Sequence, residues 1–297
     1  MKSLITDIQR FSLSDGNGIR TTVFFKGCNM NCSWCHNPET ISFERELMFY
    51  ETKCIGCGKC FEVCAAHKMV NDKHIIDKAL CTNCGKCADI CYAQALVMCG
   101  KEMTVEEIMK EIRQDIPYYN SSKGGVTLSG GEVLCHKDFA LELIEACKKE
   151  GISTAVETNL NFPFESIKEL LGSVDLIMCD LKIFDDEEHK KHTGVSNSNI
   201  KANLKMIDSL GVDIIVRTPL IPGVTDSAEN ISAIADFIKT LSNLRRYELL
   251  NFNPLGEGKY KALEKENTFE KCRPFDEDVL KNLESVAKSN GIKVKVV

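Results

Sequence analysis

The stretch TTVFFKGCNMNCSWCHNPE, residues 21–39, is a short β-branched and aromatic run followed at once by three cysteines in the spacing C-x3-C-x2-C. Thr22 to Phe25 reads as a buried strand, so the chain delivers Cys28, Cys32 and Cys35 just past a strand's C-terminal end. Three thiolates can hold three irons of a four-iron cube. The fourth iron then has no protein ligand and is open to a substrate, the iron–sulfur counterpart of a catalytic zinc with an open position.

The rest of the chain repeats the strand. Apolar runs recur at Val126 to Leu128, Thr154 to Glu157, Leu176 to Cys179, Ile214 to Arg217, Tyr247 to Asn251 and Ile292 to Val297, and such runs read as parallel strands covered on both faces. Helix-period segments separate them. In Thr104 to Ile116, residues Val105, Ile108, Met109, Ile112 and Ile116 share one face, and Thr104 with Glu107 forms a capping-box pattern. Similar stripes occur at Phe139, Leu143 and Cys147, at Ile231, Ile234, Ile238 and Leu241, and at Val279, Leu280, Leu283 and Val286. About six βα units in succession give an α/β fold, either an open doubly wound sheet or a barrel, complete or partial. In both, ligands gather at the C-terminal strand ends.

A second pattern interrupts the first. Of sixteen cysteines, eleven fall between Cys28 and Cys91. Cys54, Cys57, Cys60 and Cys64 have the spacing C-x2-C-x2-C-x3-C, and Cys81, Cys84, Cys87 and Cys91 repeat it 27 residues later. This is the spacing of a two-cluster ferredoxin, in which the fourth cysteine of each run reaches the other cube. One cluster would take Cys54, Cys57, Cys60 and Cys91, the other Cys81, Cys84, Cys87 and Cys64. Two zinc ribbons are the alternative, and they fit the third and fourth cysteines of each run less well. Residues 50–100 supply the roughly fifty residues such a domain needs, leaving 1–49 and 101–297 for the larger one. Ala65 and Tyr92 stand where a proline usually follows the fourth cysteine.

Composition narrows the partners. Lys and Arg number 37 against 43 Asp and Glu, with no long block of like charge, so neither nucleic acid nor a membrane surface is expected. No apolar run approaches the roughly 20 residues of a membrane span, and the N-terminus lacks a signal peptide's apolar core. A cytoplasmic location is expected, where so many cysteines point to metal or redox chemistry rather than disulfides.

The triplet C-x3-C-x-aromatic-C, with Trp34 as the aromatic, resembles the signature of the radical S-adenosylmethionine (SAM) superfamily. Within it the chain resembles the activating enzymes of glycyl radical enzymes. The likeness runs nearly end to end: DGNGIRTTVFFKGC at 15–28, CHNPE at 35–39, the inserted cysteine repeat, GGVTLSGGE at 124–132, CDLK at 179–182, RTPLIPGVTD at 217–226 and LGEGKY at 255–260. The resemblance implies a partial (β/α)6-type barrel with a small ferredoxin-like insert, three 4Fe-4S clusters, and SAM cleaved reductively to methionine and a 5′-deoxyadenosyl radical. That radical would take hydrogen from a glycine Cα of a large partner enzyme. A flavodoxin or ferredoxin as electron donor and a monomeric state are further expectations.

The same resemblance places SAM against Gly130, Gly131 and Glu132 of the SGGE loop, Glu157, Asp180 and Lys182, with Trp34 and Asn37 beside the triplet. Arg217 either meets the SAM carboxylate or forms a structural ion pair. Three departures stand out: Asn17 where relatives have Pro, Leu160 where they have Gly, and Asn251, Phe252 and Asn253 where they have PYH. Asn253 can still exchange hydrogen bonds with a nucleoside but cannot titrate near neutral pH. His36 is either a neighbour of the site or a surface histidine. Cys99, Cys135, Cys147, Cys179 and Cys272 lack ligand spacing and are expected to serve packing. A radical SAM enzyme of small molecules or peptides, or a plain electron carrier, are the rival readings; SAM cleavage excludes the carrier.

Overall fold

A computed structural model describes residues 1–297. Its strands, in chain order, are β1 (Lys2–Ser12), β2 (Arg20–Phe25), β3 (Glu46–Phe49), β4 (His67–Val70), β5 (Lys73–Ile76), β6 (Leu96–Cys99), β7 (Lys101–Thr104), β8 (Gly125–Gly130), β9 (Ser153–Thr158), β10 (Leu176–Asp180), β11 (Asp213–Pro219), β12 (Leu244–Leu250) and β13 (Val294–Val296). Nine of them form one sheet in the order β13-β12-β11-β10-β9-β8-β2-β1-β7. From β13 to β2 every pairing is parallel, whereas β2 with β1 and β1 with β7 are antiparallel. The sheet is open, its two edges being β13 and β7.

Side chains alternate across such strands, and this alternation decides which face carries chemistry. Val126, Leu128, Val156, Ile177, Cys179, Ile214 and Val216 join one core with residues of the covering helices. The opposite face holds a small apolar floor of Ala155, Leu176, Met178 and Ile215. Nearer the strand ends its alternate positions become polar, at Thr127, Ser129, Glu157, Asp180 and Arg217. Cys147 and Cys179 are fully buried in the large core, in keeping with packing roles.

The first long helix begins with the expected cap: the Glu107 N–H donates to Thr104 Oγ1 at 3.3 Å and the Thr104 N–H donates to Glu107 Oε2 at 2.8 Å. It ends sooner than its pattern predicts. The α-helix covers Val105–Ile112, a 3-10 turn covers Arg113–Asp115, and a second helix starts at Ile116. Pro117 stands in that second helix's first turn and cannot donate to the preceding turn, which breaks the continuity. In the last helix, Glu277–Lys288, Val279 is exposed, and Ala287 joins Leu283 on the buried side instead.

Residues 46–99 lie outside the nine-stranded sheet, with two short two-stranded sheets of their own. β3 pairs with β6 at their base, so the strand just before residue 50 pairs with the one that closes the insert. β4 and β5 form a hairpin through Asn71 and Asp72, both at positive φ, as a two-residue type I′ turn requires. Gly58 and Gly85, at the same place in the two cysteine runs, both adopt left-handed backbone and start short helices. The apolar core here is seven buried residues, with Cys54, Cys60, Cys64, Cys81 and Cys91 packed against it. A core this small does not stabilise a domain unaided.

Removing the cap on the first long helix leaves the Glu107 N–H without its partner. Thr104→Ala is expected to lower unfolding free energy by about 1 kcal/mol, read as a lower denaturant midpoint with unchanged slope.

Candidate active site at the strand ends

β2 ends at Phe25, and the loop that follows is pinned along its whole length. The N–H groups of Gly27 and Cys28 donate to the carbonyls of Thr40 and Ile41 at 2.7 and 3.0 Å, closing the loop on itself. Asn31 and Ser33 donate to the carbonyls of Thr193 and His192 at 3.0 and 2.9 Å. The Tyr260 hydroxyl donates to the Cys35 carbonyl at 2.9 Å, and Lys259 Nζ donates to Asn37 Oδ1 at 2.7 Å and Glu39 Oε1 at 2.6 Å. Cys28, Cys32 and Cys35 are thereby brought to one cavity of about 270 Å³, together with Gly130, Gly131, Glu132, Glu157, Asp180, Lys182 and Arg217.

The glycines of SGGE have a cause inside the protein. A Cβ on Gly130 would lie 2.2 Å from the Phe25 backbone nitrogen, and one on Gly131 would lie 2.3 Å from the Gly27 carbonyl oxygen. Only bare backbone lets the β8 loop sit this close to the cysteine loop. Glu132 then ties the neighbouring turns together. Its buried carboxylate accepts from the Leu134 N–H at 3.0 Å, the Asn159 N–H at 2.7 Å and the Thr158 hydroxyl at 2.7 Å. Burial pushes Glu132 up to about 7, with these donors pulling the other way.

Electrostatics divides the cavity wall. Lys182 is buried and paired with Asp180. Burial opposes its charge, but Asp180 and the nearby Cys32 hold it above the ordinary lysine range. Arg217 is engaged elsewhere: it pairs with Glu157, reaches Glu248 at 2.8 Å and donates to the Ser14 carbonyl at 2.7 Å. The structural ion pair is formed, and Arg217 also lines the cavity. Glu157, which also accepts from the Ser129 hydroxyl, is raised above its usual range by burial, and Arg217 opposes the shift.

Two expected neighbours sit differently. Asn253 lines a separate recess of about 20 Å³ behind Trp34, Cys35 and His36, and its side chain accepts the Leu255 N–H at 2.9 Å. Trp34 faces the main cavity and packs with Ile183, Ile221 and Phe269. Leu160 is buried at φ 55°, a left-handed backbone that explains why a glycine suits this place, and Asn203 holds it by donating to the Leu160 carbonyl at 2.7 Å. The sequence reading missed Asn29, Lys259 and Tyr260. Their only signal was membership of ordered motifs, without a partner in view.

The donor set suits an iron–sulfur cube. Three thiols share one concave wall, none is in a disulfide, and no further cysteine lines the cavity. In the insert the cysteines also converge. Cys54, Cys57, Cys60 and Cys91 line a cavity of about 320 Å³, and Cys87 reaches the same cavity. The thiol neighbours that act on Cys60 are Cys54, Cys57 and Cys91, and those that act on Cys87 are Cys64 and Cys81. Cys91 of the second run thus stands near Cys60 of the first, and Cys64 of the first stands near Cys87 of the second.

The sequence model of the Radical SAM superfamily matches residues 22–238. The chain is 42% identical over 269 residues to the (2S)-3-sulfopropanediol dehydratase activating enzyme of Klebsiella oxytoca, covering 88% of this chain and 85% of that protein. It is 37% identical over 302 residues to the trans-4-hydroxy-L-proline dehydratase activating enzyme of Clostridioides difficile, covering 100% and 99%. Among solved structures, a domain of pyruvate-formate lyase-activating enzyme from Bacteroides vulgatus superimposes with a TM-score of 0.50 at 27% identity, over 59% of this chain and 99% of that one. A radical SAM methyltransferase from Sphaerobacter thermophilus shares the fold over 99% of this chain and 76% of that one, with a TM-score of 0.55 at 14% identity. No helix is long and apolar enough to cross a membrane.

Burial raises all three thiols of the triplet, Cys35 to about 12. Cys84 is exposed, and backbone and Thr82 hydrogen bonds lower its thiol. In metal-free protein near pH 7, alkylation is therefore expected to label Cys84 well before Cys28, Cys32 and Cys35, and labelling of the triplet should rise as pH approaches the thiol range. Residue-resolved mass spectrometry reads the order; equal rates at neutral pH would contradict it.

Proposed function

The chain belongs to the radical SAM superfamily, and from that premise we propose that it is the activating enzyme of a glycyl radical enzyme. The observation that carries this reading is the cavity on which three cysteines, and no fourth, face the Gly130–Gly131 backbone. Cys28, Cys32 and Cys35 would hold a 4Fe-4S cluster with one iron free of protein ligands. When bound there, the cluster and SAM supply methionine and a 5′-deoxyadenosyl radical by one-electron reduction, and that radical takes hydrogen from a glycine Cα of the partner.

The chain's own residues place and shelter that chemistry. Lys182, a buried cation held by Asp180, is suited to an anionic carboxylate entering the cavity. Gly130 and Gly131 offer backbone groups at close range, and Asn37 and Trp34 line the same wall. Glu157 is fixed by Ser129 and Arg217, so its carboxylate is oriented before any ligand arrives. Trp34 and its apolar neighbours exclude water from one side. Asn253 would reach a nucleoside only through the recess behind Cys35.

We assign the insert, residues 50–100 within the discontinuous frame 1–49 and 101–297, as a ferredoxin-like domain with two further 4Fe-4S clusters. One would rest on Cys54, Cys57, Cys60 and Cys91 and the other on Cys81, Cys84, Cys87 and Cys64. The crossed thiol neighbourhoods and the small apolar core support the assignment. A cytoplasmic monomer that receives electrons from a flavodoxin or ferredoxin completes the reading.

Anaerobic reconstitution with iron and sulfide is expected to give about twelve irons per chain. With SAM, reductant and a glycyl radical partner it should give a glycine-centred doublet in electron paramagnetic resonance (EPR). Cys32→Ala should abolish the doublet and lower iron to about eight. About four irons in the unaltered protein would remove the insert's clusters. SAM cleavage with no doublet in any candidate partner would point to a small-molecule or peptide substrate.

A further inference from the structure

The insert holds two histidines that no cysteine pattern accounts for. The β4–β5 register pairs His67 with Ile76 and Met69 with His74, so His67 and His74 are diagonal neighbours on one face of the hairpin. Nδ1 of His67 lies 2.8 Å from Nε2 of His74. On its other side, Nδ1 of His74 lies 3.9 Å from Cys54 Sγ, and its Nε2 is 3.9 Å from Cys60 Sγ. Phe49 and Phe61 hold the His74 ring, with centroids at 4.6 and 5.0 Å. His74 lines the same cavity as Cys54, Cys57, Cys60 and Cys91.

Cys60, His67 and His74 are close enough together to suggest a mononuclear metal site. The distances argue against it. Tetrahedral coordination at zinc–nitrogen lengths of 2.0–2.1 Å sets two nitrogens about 3.3 Å apart, whereas 2.8 Å is an ordinary hydrogen-bond length.

Which ring donates in that hydrogen bond follows from the surroundings. His67 Nε2 is buried and has no partner. If it carried the proton, a donor would be orphaned, and His74 would turn a bare lone pair toward a metal-bound thiolate. With the proton on Nδ1, His67 donates to His74 Nε2, and the His74 proton is left on Nδ1, facing Cys54. Only an acceptor is then unpaired, the milder defect.

On the reading that the insert carries clusters, we propose that His67 fixes the tautomer of His74 and that His74 donates a hydrogen bond to Cys54 Sγ, raising the reduction potential of the cluster on Cys54, Cys57, Cys60 and Cys91. An N–H aimed at a ligand sulfur stabilises the added electron more than the oxidised state. Cys87 of the second set shares the His74 cavity, but the imidazole nitrogens reach only Cys54 and Cys60; Cys81 Sγ meets the Asn83 carboxamide oxygen at 3.7 Å instead. Two runs with identical spacing thereby acquire different potentials, and His74 is a positioning residue for electrons rather than a ligand.

The test uses the reconstituted protein. In unaltered protein with 15N-labelled histidine, pulsed EPR on the reduced insert clusters should show a weak nitrogen coupling. In His74→Leu, iron should remain at about twelve per chain while one insert cluster's reduction equilibrium falls several-fold, a factor of ten being 59 mV for one electron. The potentials of the other insert cluster and of the Cys28–Cys32–Cys35 cluster should not move. His67→Leu should shift the same cluster in the same direction by less. A strong nitrogen coupling, or loss of about four irons in His74→Leu, would make His74 a ligand and overturn the proposal. Absence of coupling, or unchanged potentials with full iron, would overturn it as well. About four irons in the unaltered protein would instead refute the underlying assignment of the insert and the proposal with it.

Discussion

The cysteine loop depends on one buried ammonium. Lys26, the first residue after β2, is fully buried, and its Nζ donates to the Glu39 carbonyl at 2.5 Å and to Glu46 Oε2 at 2.8 Å. A lysine this far from water keeps its charge only where partners surround it, and removing one partner of such a pair typically costs about 3–5 kcal/mol. The two partners follow Cys35 in the chain, so Lys26 bridges from the start of the loop to its end. Everything between, including all three cysteines, is held by that closure. Lys265 reinforces it from the far end of the sequence, donating to the Pro38 carbonyl at 3.2 Å and pairing with Glu46 at 3.3 Å.

Rigidity on the opposite wall arises from a different device. Glu132 gathers the β8 and β9 turns on one carboxylate, and the Asn159 side chain then donates to Asn29 Oδ1 at 2.8 Å, inside the cysteine loop. Gly130 and Gly131 permit the contact that these bonds fix. Farther round, Arg217 joins Glu157 on β9 to Glu248 on β12. Charged groups that a sequence reading assigns to ligand binding therefore first bind one another. The site is ordered before it is filled, the condition under which binding energy goes into orientation rather than folding.

Much of this was legible from sequence, and the boundary is physical. The parallel strands from β2 to β12 could be read because burial on both faces leaves continuous apolar runs. The eleven cysteines could be read because ligand spacing is local. β1 and β7 escaped notice because their residues alternate between buried and exposed positions and leave no continuous apolar run. β3 and β6 pair across about fifty residues, a separation no short window spans. Asn29, Lys259 and Tyr260 were missed for the same reason: the Asn29 bond to Asn159 crosses 130 positions, and those from Lys259 to Asn37 and Tyr260 to Cys35 cross 222 and 225. Arg217 shows the same limit. Its residue type admits an ion pair, but the partners, Glu248 and Glu157, lie 31 and 60 positions away and only the fold reveals them.

The insertion point ties the insert to the cysteine loop. The chain leaves the larger domain at β3 and returns at β6, and both strands abut the knot around Lys26. Glu46, the first residue of β3, pairs with Lys26, while the Cys99 thiol that ends β6 lies 3.6 Å from the Glu39 carbonyl to which Lys26 donates. Met48 and Cys99 pack with Ala262 and Leu263 of the helix that also carries Tyr260, and Tyr260 holds the Cys35 carbonyl. The insert is thus anchored through the same groups that position the triplet. Base strands bonded into the cysteine loop's own closure join the insert to the wall of the site, so the groups that hold the loop also hold the insert's base.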